Sequence, residues 1–297
     1  MKSLLDKGST FSIEIPLELP PVKESIPNAK HGTQKNIDVS YLLKLKASKI
    51  LIVDDDETTL MLVSSLFKNL DIDGETLTKA SEVIAKLQQK KYDVLFTDIQ
   101  MPGMSGIELV KTIRSHNTQE ISTIPVVALT ANLNIKDQLN SGFTSYLTKP
   151  FKEIEFYNKI LEILVPGYHL SATDIKVPKQ NISEHNEPYS LVEVSTFTVN
   201  DTEALKRVVE TFTANSLKTI EDIKILLKEL NMEGISNCAH KLLPTFRQFK
   251  MHEVVNNLEK LERYKEASLK GDEFFPIAKQ TIETAEKIIR QIKKESL

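Results

Sequence analysis

Two textures divide the pattern of apolar and polar positions along this chain. Over residues 50–164, short apolar runs alternate with amphipathic stretches: Ile50–Val53, Val94–Phe96, Val126–Leu129 and Tyr146–Leu147. Runs of this length between helical patterns predict the buried strands of a parallel sheet. Helical spacing fits residues 58–69, 81–90, 107–115, 135–141 and 152–164, which gives five strand–helix units. The predicted fold is therefore α/β, a doubly wound five-stranded parallel sheet. From about residue 190 the strand signal stops and amphipathic helices run to the end, broken near Asn231–Gly234, Lys250–Glu253 and Gly271–Asp272. Asp201 stands where a short acidic side chain caps the first long helix. Four principal helices with short joints predict an all-α antiparallel bundle. Residues 1–19 hold one period-two run, Phe11–Leu17, which predicts a single half-buried strand. Residues 20–46 and 166–189 read as linkers, with Leu42, Leu43 and Leu45 forming a short helical turn before the first strand.

Composition narrows the classes. The 297 residues carry 38 basic and 41 acidic side chains, a formal net charge of −3. With no basic patch, zinc spacing or helix-turn-helix, nucleic acid is not expected as a direct partner. A single cysteine, Cys238, allows no internal disulfide and suits a reducing compartment. No apolar stretch approaches the roughly 18 residues of a membrane span, and the start lacks a signal-peptide core. A cytoplasmic location with no direct membrane contact by this segment is expected.

Each apolar run ends on a chemically capable group. Asp54, Asp55 and Asp56 follow the first, Asp98 the second, Thr130 the third and Lys149 the last. Functional groups of a parallel sheet gather at the carboxyl ends of its strands, so these stations converge on one pocket. Clustered carboxylates stay ionised only beside a cation, and hard oxygen ligands with few side chains suit Mg2+. Asp98 is then placed to attack phosphorus and form an acyl phosphate. Lys149 and the Thr130 hydroxyl would position and neutralise the phosphoryl oxygens.

The segments ILIVDDDETTL, DVLFTDIQMPGMSGIEL, IPVVALTA and YLTKPF resemble the receiver domain of two-component response regulators over residues 49–164, within a domain of 47–165. The resemblance implies a flavodoxin-like fold, with Asp54 and Asp55 as the metal-binding acidic pair and Asp98 as phosphoacceptor and metal ligand. It also implies that the backbone carbonyl of Gln100 completes the metal site, that Thr130 and Lys149 contact phosphate, and that Tyr146 holds the aromatic switch position. Asp56 receives no ligand role. A rival reading fits the same residues: Asp54–Thr58 matches D-x-D-x-T and resembles the nucleophile motif of haloacid-dehalogenase-like phosphatases. It makes Asp54 the nucleophile but leaves Asp98 unexplained and finds no acidic pair after Lys149. Residues 7–17, a glycine followed by the period-two run, resemble the last glycine box and final strand of a histidine-kinase ATP-binding domain. The chain is thus similar to the C-terminal part of a hybrid sensor histidine kinase. No ATP-dependent kinase activity is expected from this segment alone, and the parent protein can be anchored in the inner membrane.

The second informative stretch is residues 235–249. On a helix advancing about 100° per residue, Ile235, Cys238, Ala239, Leu242, Leu243, Phe246 and Phe249 share a core-facing stripe. His240 projects away from it, with Lys241 adjacent and Arg247 two turns on. An exposed imidazole among cations is suited to receive a phosphoryl group. Pro244 has no N–H for the carbonyl of His240, which predicts a loosened turn beneath the histidine. Ala239-His240-Lys241-Leu242 resembles the core of a histidine phosphotransfer domain covering residues 190–297, and the resemblance implies that His240 is phosphorylated. The family's usual glycine four residues later is here Pro244. His252 reads as structural, and His31, His116, His169 and His185 as linker or surface residues.

The resemblances together imply a relay. A histidine kinase domain, of the same parent chain or of a partner protomer, phosphorylates Asp98. Asp98 loads His240, and His240 phosphorylates a downstream response regulator receiver. A linker of about 22 residues spans on the order of 25 Å as a coil, which makes transfer within one chain feasible. The competing class is a non-catalytic adaptor that docks partners through a receiver fold.

Overall fold

A computed structural model of the chain describes residues 2–4, 8–10, 39–131, 141–167, 188–198 and 201–295. It divides into two units, residues 1–36 and 37–297. In the first, strand β1 (Lys2–Leu4) pairs antiparallel with β2 (Gly8–Thr10), Leu4 facing Gly8. The residues expected only to lead into a strand are thus themselves a strand, paired within its own hairpin. The run Phe11–Leu17 lies outside the described residues.

The second unit opens with helix α1 (Val39–Ala47), a full helix where a linker with one turn was expected. Leu45 explains it: the side chain is fully buried against the core, so the segment gains from ordering. Strand β3 (Lys49–Val53) follows, then α2 (Glu57–Asn69), β4 (Asp73–Leu77), a 3-10 turn (Ala80–Glu82) and α3 (Val83–Gln89). Next come β5 (Val94–Asp98), α4 (Gly106–Arg114), a short α5 (Gln119–Ser122), β6 (Val126–Thr130), β7 (Ser145–Thr148) and α6 (Glu153–Leu164). The helix expected over 135–141 falls mostly on residues outside the description. All neighbours in the five-stranded sheet run parallel, in the order β4-β3-β5-β6-β7. The order reverses next to β3, which opens a crevice at the carboxyl ends of β3 and β5.

Alternate residues of each strand feed opposite faces, as the pleat requires. Ile50, Ile52, Val94, Phe96, Val127 and Leu129 pack beneath α2 and α6. Leu51, Val53, Leu95, Val126 and Ala128 pack against α3, α4 and α5. Both faces are covered, which is why these strands are near-continuous apolar runs.

Helices α7 (Val192–Thr198), α8 (Thr202–Lys228), α9 (Met232–Gln248), α10 (His252–Glu262) and α11 (Gly271–Glu295) complete the chain. The last four pack as a bundle around Phe212, Phe246, Phe249, Phe274 and Ile289, all fully buried. Asp201 caps α8, its carboxylate accepting the Ala204 N–H at 3.0 Å. The bundle packs directly on the sheet domain. α2 lies against α7 and α8, Phe151 approaches Phe197 at 6.4 Å between ring centres, and one apolar core runs through both.

Candidate active site

Four strand ends build the first half of the site. Asp54 follows β3, Asp98 closes β5, Thr130 closes β6 and Lys149 follows β7. Parallel pairing carries the stagger outward: the Asp54 N–H donates to the Leu77 carbonyl at 3.1 Å, and the Lys149 N–H donates to the Thr130 carbonyl at 2.7 Å. The loop after Asp98 is fixed by glycine. A Cβ on Gly106 would stand 2.1 Å from the Asp98 carbonyl, so only glycine permits this approach, and Gly103 sits at a φ of +81°.

Asp54, Asp55 and Asp98 each offer an oxygen within 4.8 Å of the others. The Lys149 ammonium lies 2.5 Å from Asp54 Oδ2 and 2.7 Å from Asp98 Oδ2. Asp54 is fully buried; its Oδ1 accepts the Asp56 N–H, and its Oδ2 pairs with the Lys149 ammonium. Burial, reinforced by the charge on Asp98 and opposed by Lys149, pushes the Asp54 carboxyl up to about 8. Burial and the Asp98 charge also raise Asp55. Burial opposes the charge on Lys149, but Asp54 and Asp98 more than offset it and keep the ammonium protonated. The centre carries more negative charge than Lys149 balances, and its clustered carboxylate oxygens suit a hard cation.

Gln100 is exposed, its backbone N–H donating to Asp98 Oδ1 at 3.2 Å. Thr130 is buried at the end of β6. Tyr146 points outward, 41% exposed, with the Lys159 ammonium 5.8 Å from its ring centre.

The bundle brings the second half. A cavity of about 330 Å³ is lined from the sheet domain by Asp55, Asp98, Gln100 and Lys149, and from the bundle by His240, Lys241 and Pro244 among others. The core stripe of α9 lies where its spacing put it, with Ile235, Ala239, Leu242, Leu243, Phe246 and Phe249 buried and Cys238 half-buried. His240 is less open than the helical projection implied. Its Nδ1 is 2.5 Å from Glu262 Oε1, and the imidazole is 25% exposed. The hydrogen bond to His240 holds Glu262 below the usual carboxylate range. An ionised carboxylate only accepts, so Nδ1 carries a proton, and in the neutral ring Nε2 is the nitrogen with the lone pair. Arg247, expected as a cation near the imidazole, pairs with Glu259 of α10 at 2.7 Å, and its charge also acts on Glu262. A guanidinium two turns from His240 has a nearer carboxylate on the neighbouring helix. Lys241 remains exposed in the cavity wall.

Glu262 was not visible in the sequence, nor was the contact made by Asp56. Asp56 caps α2 by accepting from the Thr58 N–H, and its Oδ2 takes the hydroxyls of Thr59 at 2.8 Å and Thr245 at 2.9 Å. Both residues act across breaks in the sequence that only the fold closes.

The response regulator receiver domain family matches residues 50–161. Sensor protein GacS of Pseudomonas syringae pv. syringae is 31% identical over 129 residues, 42% of this chain and 14% of that protein. Sensor protein EvgS of Escherichia coli (strain K12) is 24% identical over 264 residues, 86% of this chain and 20% of that protein. The chain therefore spans a fifth or less of these sensor proteins. Among solved structures, chemotaxis response regulator CheY4 of Vibrio cholerae is 28% identical with a TM-score of 0.37, covering 39% of this chain and 98% of that one. The receiver domain of sensor histidine kinase PA1611 from Pseudomonas aeruginosa PAO1, with magnesium coordinated in its active site cleft, is 23% identical with a TM-score of 0.37, covering 39% of this chain and 97% of that one.

Proposed function

We propose that this chain, in which residues 50–161 are a response regulator receiver domain, is a two-step phosphoryl carrier. Asp98 takes a phosphoryl group from the phosphohistidine of a histidine kinase and loads His240, which passes it to the receiver of a separate response regulator. The observation that carries the reading is the shared cavity, lined by Asp98 and Lys149 on one side and His240 on the other. A receiver that only docked partners would have no need of a histidine there.

Each step balances with groups at the site. In loading, an Asp98 oxygen attacks phosphorus; the O–P bond forms as the donor N–P bond breaks, and that electron pair returns to the donor imidazole. In transfer, the lone pair on His240 Nε2 attacks the acyl phosphate. The N–P bond forms, the O–P bond breaks, and the pair returns to the Asp98 carboxylate. Lys149 stays protonated beside Asp98 and faces the phosphoryl charge. Glu262 holds the Nδ1 proton and offsets the positive charge of the ring once Nε2 is substituted. Thr130 reads the phosphoryl oxygens, Tyr146 switches with it, Lys241 adds positive charge and Pro244 keeps the approach to His240 open. Asp54, Asp55, Asp98 and the backbone carbonyl of Gln100 would hold Mg2+, which when bound supplies positive charge at the transferring oxygens. Residues 1–19 are the end of a kinase ATP-binding domain in this reading, and residues 190–297 a histidine phosphotransfer domain.

The test is labelling with a small-molecule phosphodonor and Mg2+, comparing wild type with Asp98→Asn and His240→Ala. Base-labile label on Asp98 is expected, together with acid-labile label on His240 that disappears in Asp98→Asn. Label confined to Asp98 in the wild type would overturn the transfer step.

A further inference from the structure

We infer that the receiver masks the phosphorylatable histidine of its own bundle through a two-point latch, so that loading of His240 and its onward transfer belong to two exclusive states, docked and undocked. The inference rests on the relay proposed above and adds how its two steps are kept apart.

Helix α2 carries both points, one at each end. At its start, Asp56 Oδ2 accepts the Thr245 hydroxyl of α9 at 2.9 Å. At its last residue, the Asn69 side-chain N–H donates to the Phe197 carbonyl of α7 at 3.1 Å. Thirteen residues separate Asp56 from Asn69, about 20 Å along a helix. Anchors that far apart fix orientation as well as position, because rocking about one breaks the other. Between them the seam is nearly closed. The cavity bounded by Leu62, Phe151, Phe197, Pro244, Thr245 and Gln248 measures about 20 Å³, room for about one water.

The closed geometry leaves room for a phosphoryl group and solvent but not for a second protein domain. The cavity joining Asp98 to His240 measures about 330 Å³, roughly the volume of ten waters. A second receiver reaching His240 would need a protein interface of roughly 800 Å² on each partner. The bundle surface around His240 that would supply it, Lys241, Pro244 and Thr245, already faces the chain's own receiver. The downstream receiver and the chain's own are therefore rivals for one surface. Each of these hydrogen bonds shifts the docking equilibrium by about fivefold, in addition to the apolar contact of Phe151 with Phe197.

The test uses two full-length chains. The donor is His240→Ala, labelled on Asp98. The acceptor is Asp98→Asn, compared with the same chain carrying Asp56→Ser and Asn69→Ala. Serine still caps α2 but is too short to hold Thr245, and neither substitution touches the bundle. Labelling of the acceptor's His240 is expected to rise about tenfold to thirtyfold when the latch is cut; equal rates in both acceptors overturn the masking. Asn69→Ala alone, expected to give about fivefold, serves if the double variant fails to fold. A second readout needs no phosphoryl transfer: carbethoxylation of His240 by diethyl pyrocarbonate, mapped by peptide, should accelerate by a similar factor in the cut variant. An accelerated carbethoxylation without any label on His240 supports the masking and removes the relay. An unchanged rate overturns the masking whatever the labelling shows.

Discussion

At the scale of single residues, chemistry that lies at strand ends was legible and chemistry that depends on a neighbouring helix was not. Asp54, Asp98, Thr130 and Lys149 each follow an apolar run, so their convergence follows from the parallel sheet alone. Glu262 stands 22 residues from His240 on another helix, and no spacing rule reaches it. Arg247 lies between the two cases: its charge reaches Glu262, the partner of His240, while its pairing with Glu259 is visible only in the fold. Two outcomes follow from the His240–Glu262 pair. Glu262→Ala should slow transfer from Asp98 to His240 about tenfold, the worth of one charge-assisted hydrogen bond. Glu262→Gln, which keeps an acceptor oxygen, should recover most of that rate in rapid-quench measurements. Because Glu262 is held below its ordinary value, its ionised form favours the folded chain. That contribution is present above the unfolded carboxylate range and lost as pH falls through the lower folded value. In His240→Ala its main cause is gone, and the Glu262 carboxyl, followed by carbon NMR, should titrate higher than in the wild type.

At the scale of elements, the sequence shows what buries two faces and hides what buries fewer. Strands β3, β5 and β6 are apolar because helices cover both sides of them. Strand β4, Asp73–Leu77, sits at the sheet edge with no fully buried residue, so it presents no apolar run and its position was not specified. Helix α1 was hidden in the same way, because among its described side chains only Leu45 is fully buried, which makes a weak periodic signal. Helix α6 brings a buried charge into the sheet domain. Glu153 is 6% exposed, and burial, opposed by hydrogen bonds with Tyr157 and Asn69, raises its carboxyl above the ordinary range. A group raised in the folded state binds its proton more tightly there than when unfolded. Stability is therefore lost as pH rises from the ordinary carboxylate range through the folded value. Glu153→Gln should raise the melting temperature by about 2 °C at pH 8, a stability gain of about 1 kcal/mol. The gain should vanish below about pH 4, where both states are protonated. Scanning calorimetry across that range checks the sign; a gain that grows toward acid would contradict it.

At the scale of the whole molecule, the residues between 166 and 189 read as a tether joining two independent bodies, and the chain instead closes a seam. Such a seam leaves little trace in sequence, because its residues are the ones each half would bury or expose on its own account. Phe151 follows Lys149-Pro150 and is an ordinary strand-end aromatic; Phe197 sits on a seven-residue helix. Only together, with Phe197 1% exposed, do they mark a surface withdrawn from water. Because one apolar core runs from beneath α2 and α6 into the bundle, unfolding of either half exposes apolar surface of the other, and the two should melt together. Phe197→Ala removes the ring at the centre of this coupling, which should cost about 3–5 kcal/mol as a buried aromatic truncation. The loss falls on the seam rather than inside either half. A single calorimetric transition in the wild type should therefore resolve into two in Phe197→Ala, the receiver transition alone moving when Mg2+ is added, since a ligand stabilises only the part that binds it. Two resolved transitions in the wild type would mean that the halves fold as strangers and meet only for transfer.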